Sequence, residues 1–268
     1  MNIGKQIRLN RLFAHPSGRL CSVAIDHFIG YNTGMPPGLR HFMNTLGEIV
    51  AGGPDAVTMH YGMLASAWAP YAGKVPVIVQ STLCRPDDSA YQILATPEDA
   101  VRLGADGYAI VAYVRGDREA EYLHSVNHAV QQAARFEMPV IIHIYPRHFT
   151  NGAVSISYEP EDIAWAVRCA VETGVDVVKV PYCGDVKAYA EIVADCPVPV
   201  VAAGGPKRET LAEALELIAE VVQSGAKGAT IGRNIWGFEH VTASVKAFKA
   251  VIHDMTPPAE ALRNAMNV

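Results

Sequence analysis

The chain has 268 residues, half of them apolar, and a formal net charge of −5 when histidine is neutral. The length suits one large α/β barrel or two ordinary domains. The negative balance and the lack of a basic tract argue against a nucleic-acid partner, and no apolar run approaches the roughly 20 residues that span a bilayer.

Residues 1–19 precede the first apolar run and are expected to plug or cover the bottom of the fold. Strand candidates then follow at Leu20–His27, Ala56–His60, Val75–Ser81, Gly107–Val114, Val140–Tyr145, Val175–Pro181, Val198–Ala203 and Ala229–Arg233. They are near-continuous Val/Ile/Ala runs, the pattern of parallel strands buried on both faces. The segment Phe28–Pro37, rich in Gly, Asn and Pro, reads as a mobile loop over the site. Helical spacing appears between the strands. Glu119 to Arg135 aligns Val126, Ala129, Val130 and Ala133. Glu161 to Glu172 aligns Ile163, Ala164, Val167 and Ala170, with Glu159 and Asp162 near its start and Gly174 after its end. Glu209 to Gln223 aligns Leu211, Leu215, Ile218 and Val222 and closes at Gly225. Strand–helix repeats without a linker predict one domain over residues 1–268, a single (β/α)8 TIM barrel of the α/β class. An open doubly wound sheet is the alternative, but the first strand runs into Asp-His-Phe-Ile-Gly rather than a GxGxxG turn.

Two further compositional features bear on context. Cys21, Cys84, Cys169, Cys183 and Cys196 are odd in number and show no CxxC spacing, and MNIGKQIRLNRLF lacks the apolar stretch of a secretory signal. Both fit reduced thiols in a cytoplasmic protein. Charged residues make up 18% of the chain, against about 25% in ordinary domains. Surface hidden in a homo-oligomer gives this deficit, and so does a large barrel core.

In such barrels, function gathers where strands end. The first strand ends at Asp26 and His27, the fifth at His143, Tyr145 and Arg147, and the sixth contains Lys179. A lysine inside a barrel loses hydration, which disfavours the ammonium. A neutral amine is what imine formation with a ketone requires. A strand lysine also reads as a structural partner of Asp26 or as a side chain that snorkels to solvent. Within hydrogen-bond reach of Lys179, Tyr145 would move protons and Asp26 would orient the amine. Two glycine segments, Gly204-Gly205 after the seventh strand and Gly232-Arg233 after the eighth, read as a phosphate site. Glycines admit backbone N–H groups to an anion, helix N-termini add a favourable dipole, and Arg233 offers a bidentate fork. His124 and His128 have i, i+4 metal-ligand spacing but lie mid-helix, so no metal is expected.

These residues resemble the DhnA-type (archaeal-type) class I fructose-bisphosphate aldolases, within the wider DeoC/LacD aldolase group. The resemblance is carried by Ala24-Ile25-Asp26-His27, Ile144-Tyr145-Pro146-Arg147, Val178-Lys179-Val180-Pro181-Tyr182, Ala203-Gly204-Gly205-Pro206-Lys207 and Ile231-Gly232-Arg233-Asn234-Ile235-Trp236. It implies a Schiff-base lysine at Lys179, a general acid/base at Tyr145 and an orienting or basic carboxylate at Asp26. It implies phosphate contacts at Gly204, Gly205, Gly232 and Arg233, a phosphorylated-sugar substrate, no cofactor beyond the covalent lysine, and a homo-oligomer that is often a decamer. Members that cleave fructose 1,6-bisphosphate often have tryptophan where this chain has His143, and a Gly-rich, acidic loop where it has Phe28-Ile29-Gly30-Tyr31-Asn32. Both departures face the end of the substrate away from the first phosphate, where His27, His143 and Arg147 are the expected donors. The same scaffold resembles a thiolase that acts on autoinducer-2 phosphate with coenzyme A, which is the alternative function.

Overall fold

The computed structural model describes residues 2–30 and 34–267. Its barrel strands are β1 (Leu20–Ala24), β2 (Ala56–His60), β3 (Val77–Gln80), β4 (Gly107–Val114), β5 (Val140–Thr150), β6 (Val177–Val180), β7 (Val200–Ala203) and β8 (Gly228–Ile231). The order β4-β3-β2-β1-β8-β7-β6-β5 closes through parallel pairing of β4 with β5, so the sheet is a (β/α)8 barrel. Helices Glu119–Ala134, Pro160–Glu172 and Leu211–Gln223 lie where their periodicity places them, each burying its apolar stripe against the strands.

Strand periodicity sorts the barrel interior into levels. Successive side chains point to opposite faces, so residues two apart share one. At the bottom, Leu20, Ala56, Ile78, Ala109, Ile141, Val177 and Val201 form one apolar cluster with Leu12. Leu12 belongs to the N-terminal helix Ile3–Leu12, and Leu9 and Phe13 pack beside it. Lys5 and Arg11 tie this helix to Asp176 and Asp106 at 2.9 and 3.2 Å. The helix therefore seals the lower end of the barrel. Truncating a fully buried leucine such as Leu12 to alanine costs about 2–5 kcal/mol.

Several boundaries differ from the sequence reading. β1 ends at Ala24, not His27, because the chain turns after Ile25 donates its N–H to Thr58. β5 runs past Tyr145 to Thr150 and pairs antiparallel with Ala153–Ile156. β8 stops at Ile231, because Arg233 opens the short helix Arg233–Trp236. A hairpin of Thr82–Cys84 and Tyr91–Ile93 is an element that the periodicity does not reveal. The expected covering loop Phe28–Pro37 includes residues 31–33, which lie outside the described residues, so Tyr31 and Asn32 are not placed. Among the described residues, no helix is long and apolar enough to cross a membrane.

Candidate active site

The levels above the apolar floor become polar. Two residues up from Ile141 and Val177 stand His143 and Lys179, which are Cα partners on β5 and β6. The same parity brings His60, Gln80 and Thr230 to the interior, and one further step brings Tyr145, Tyr113 and Gly232. These residues line a single cavity of about 340 Å³ at the C-terminal mouth of the barrel, together with Asp26, His27, Gly204, Gly205 and Arg233. Of the ten residues singled out from the sequence for the site, nine face this one space, and Arg147 does not.

Lys179 is the centre of the arrangement. It is only 5% exposed. Burial brings its ammonium down from the ordinary lysine range to about 8, against the opposing pull of Asp26. The contact between the two is one of charge. Lys179 donates no side-chain hydrogen bond among the described residues, so the expected hydrogen-bond reach to Asp26 or Tyr145 is not realised here.

Asp26 has two partners of its own. Gln80 Nε2 donates to Oδ2 at 3.0 Å, and His27 Nδ1 lies 3.3 Å from Oδ1. Burial alone would raise the carboxyl. The His27 hydrogen bond and then the charges of His27 and Lys179 outweigh it, and hold Asp26 well below the usual carboxylate range. The site therefore keeps an anion opposite a weakened cation. His143 stays neutral: burial and then the Lys179 charge push it well below the ordinary imidazole value. Burial lowers His60 likewise.

Gln80, His60, Thr82, Tyr113, Tyr158 and Thr230 also line the cavity and were not recognised from sequence. The signal was present for two of them, since His60 and Gln80 are polar residues closing apolar strands. Gln80 is the most connected: its Oε1 also accepts the Thr82 N–H at 3.0 Å. Tyr145 is half-buried and packs against Tyr113, its register partner, at 6.0 Å between ring centroids.

The two glycine segments are locked together by Asn234. Its Nδ2 donates to the carbonyls of Gly204 and Pro206 at 2.8 and 2.9 Å, and its Oδ1 accepts the Arg208 N–H at 2.8 Å. Arg233 Nη2 reaches the Gly205 carbonyl at 3.3 Å. Gly205 sits at φ +70°, a left-handed conformation that a side chain would strain. At Gly232 a Cβ would meet His27 Cε1 at 2.4 Å. That histidine is wedged edge-on against Trp236, whose Nε1 donates to the Ala24 carbonyl at 2.9 Å. The dipole part of the sequence argument is narrower than expected. The helix after β7 starts at Leu211 and is closed by its own capping box of Thr210 and Glu213, so only the short helix at Arg233 opens directly onto the glycines.

Arg147 is a correction. It does not face the substrate space as a donor. It is fully buried, and its Nη1 donates to Asp88 at 2.7 Å and to the Pro86 carbonyl at 2.6 Å, while Nε donates to the Arg115 carbonyl at 3.0 Å. Tyr122 donates to the same Asp88 carboxylate. Arg147 thus pins the hairpin connection to β5. Cys183 is half-buried with its thiol pushed up, chiefly by burial, so it is a packing residue and not a thiolate. His124 and His128 are exposed on helix Glu119–Ala134, away from the cavity. Among the described residues, no three His, Cys, Asp or Glu side chains are placed to hold a metal ion.

Comparison with known proteins agrees with this architecture. The chain is 33% identical over 270 residues to the 2-amino-3,7-dideoxy-D-threo-hept-6-ulosonate synthase of Halobacterium salinarum, covering 98% of this chain and 96% of that one. It is 30% identical over 254 residues to the 2-amino-4,5-dihydroxy-6-oxo-7-(phosphonooxy)heptanoate synthase of Streptomyces griseus, with 93% and 90% coverage. The structure of an archaeal fructose-1,6-bisphosphate aldolase whose catalytic lysine is covalently bound to the carbinolamine intermediate superimposes with a TM-score of 0.81, at 25% identity, over 93% of this chain and 99% of that one. The family model of the DeoC/LacD aldolases matches residues 20–237, from the first residue of β1 to the glycine that ends the Arg233 helix. The chain belongs to the DeoC/LacD family and is an aldolase.

Proposed function

We propose that this aldolase is of class I: it binds a phosphorylated ketone of the dihydroxyacetone-phosphate type as a Schiff base on Lys179, and makes or breaks the bond from that ketone to an aldehyde. The observation that carries the reading is the buried Lys179 amine, brought to about 8 inside the cavity and facing an ionised Asp26. The neutral amine attacks the ketone carbon, and loss of water leaves a protonated imine. In the cleavage direction a base removes the C4 hydroxyl proton, the C3–C4 electron pair moves toward the iminium nitrogen, and the aldehyde departs. Tyr145, on the strand beside Lys179, is the assigned proton carrier, and Asp26 orients the amine. Gly204, Gly205, Gly232 and Arg233 take the phosphate.

The aldehyde half carries no phosphate in this reading. Among the described residues that line the cavity, Lys179 and Arg233 supply the lysine and arginine cations. One is consumed by the imine and the other serves the first phosphate. Arg147, the further donor expected at the aldehyde end, is committed to Asp88. His143 is neutral, and a neutral imidazole gives a dianion one N–H and no charge. The names of the two relatives in the preceding section, a heptulosonate and a phosphonooxyheptanoate synthase, support a partner other than glyceraldehyde phosphate.

Borohydride trapping with dihydroxyacetone phosphate, followed by peptide mass spectrometry, tests the chemistry. An adduct on Lys179 supports it; an adduct elsewhere or none overturns it. Comparing kcat/KM for fructose 1,6-bisphosphate with a panel of ketose 1-phosphates tests the substrate half. A tenfold or greater preference for the bisphosphate would restore that sugar as substrate. A product formed only with coenzyme A would point to acyl transfer instead.

A further inference from the structure

Gln80 is as tightly held as Asn234, and it sits inside the catalytic cavity. It closes β3, is 2% exposed, and uses all of its amide. Oε1 accepts the Thr82 N–H at 3.0 Å, while Nε2 faces both Asp26 Oδ2 at 3.0 Å and His143 Nδ1 at 3.2 Å. The amide cannot be turned over. Reversal would set its oxygen against the Asp26 carboxylate and its NH2 against the Thr82 N–H. Both hydrogens of Nε2 are therefore given away, one to a carboxylate and one to a ring nitrogen.

The consequence falls on His143. A nitrogen that accepts a hydrogen bond has no proton. With Nδ1 accepting from Gln80, the single proton of the neutral ring sits on Nε2. His143 lines the cavity and is the Cα partner of Lys179 on the adjoining strand. Adjacent strands run about 4.8 Å apart, and the Lys179 charge acts on the His143 ring, so the two side chains share one side of the cavity.

We propose that Gln80 is a positioning residue that fixes His143 as the Nε2–H tautomer, making His143 a hydrogen-bond donor to the oxygen on the ketone carbon that Lys179 attacks. The inference rests on the imine reading above and assigns that step an oxygen-stabilising group. In the attack the N–C bond forms and the carbonyl π pair moves onto oxygen. The Nε2–H of His143 donates to that oxygen and keeps its proton. The proton that neutralises the oxygen is one lost by the attacking nitrogen, so charge and atoms balance within the carbinolamine. Were the tautomer reversed, Nε2 would present a lone pair to the developing anion and oppose the step.

The tautomer is directly readable. In protein carrying 15N-histidine, bare and protonated ring nitrogens resonate in separate ranges, and the His143 signals are identified by their loss in His143→Phe. The wild-type enzyme is expected to show a bare Nδ1 and a protonated Nε2; the reverse overturns the proposal whether or not Gln80→Met folds. Gln80→Met keeps the length and removes the donor. It is expected to give a tautomer mixture at His143 and to slow borohydride-trapped imine formation by roughly tenfold or more. The pH at which that rate levels off should stay set by Lys179. An unchanged tautomer and rate in Gln80→Met overturns the role of Gln80. If wild-type protein forms no Lys179 adduct at all, the class I imine reading fails; if it does and Gln80→Met matches it, only this inference fails.

Discussion

Asn234 holds Gly204 by its carbonyl: the Nδ2–O distance is 2.8 Å, and the same amide also binds Pro206 and Arg208. One side chain on the β8 loop therefore shapes the β7 loop, and the geometry of the proposed phosphate cradle depends on a residue that need not touch phosphate. Asn234 is 2% exposed. Asn234→Ala leaves those backbone groups without their partner, at a cost of about 1–3 kcal/mol for each buried group stranded. KM for a phosphorylated substrate should rise at least severalfold with a smaller change in kcat, as steady-state kinetics would show. An unchanged KM would mean that the loop keeps its shape without the tie.

Lys179 should give the enzyme a pH signature. Only the neutral amine attacks, and its folded value is about 8. Adduct formation should climb about tenfold per pH unit below that value and level off above it. A plateau reached already at pH 6 would contradict the assignment. Stability follows with its own sign. The folded value lies below the unfolded value of about 10.4, so between about 8 and 10.4 the unfolded chain binds more protons, and stability rises with pH through that window. Below it Lys179 costs the fold on the order of 3 kcal/mol, a figure that already includes its attraction to Asp26. Lys179→Met should abolish trapping, flatten this rise and raise Tm at neutral pH.

Arg233→Ala removes a charge-assisted donor that contributes about 1.5–3 kcal/mol. Affinity for phosphorylated ligands should fall roughly 10- to 150-fold, while an unphosphorylated ketone such as dihydroxyacetone should be trapped nearly as before. Equal losses for both would place the phosphate elsewhere.

Arg147→Met should act on stability. Removing it leaves the partly exposed Asp88 without its cation and strands the Pro86 and Arg115 carbonyls, at about 1–3 kcal/mol for each buried group left unpaired. Denaturant unfolding should show this as a lower midpoint. Correctly folded protein should retain trapping on Lys179; its loss in folded protein would mean that Arg147 also serves the site.

Much of the barrel was legible because its strands are apolar runs of a length that periodicity can find. Asp26, His143, Tyr145 and Lys179 stood out because charge or a reactive group at the end of such a run has few structural excuses. Gln80 and His60 ended runs equally well, yet an amide and a lone histidine acquire meaning only from what they face. Closure of the sheet decides that, through the stagger between strands. Arg147 shares parity with Tyr145 and followed it into the wrong reading. Its partner Asp88 lies in a hairpin connection far back in the chain, which no local spacing reveals.

The sealed floor made by Leu9, Leu12 and Phe13 also dictates traffic. A barrel with one open end is a dead-end chamber: whatever goes in last must come out first. In cleavage, the aldehyde fragment has to clear the mouth before water can reach the tethered three-carbon piece. In synthesis, the ketone must be loaded before the aldehyde arrives. On the proposed imine chemistry this geometry predicts an ordered queue, which initial-rate and product-inhibition patterns would display as an ordered mechanism with the phosphorylated ketone first on and last off.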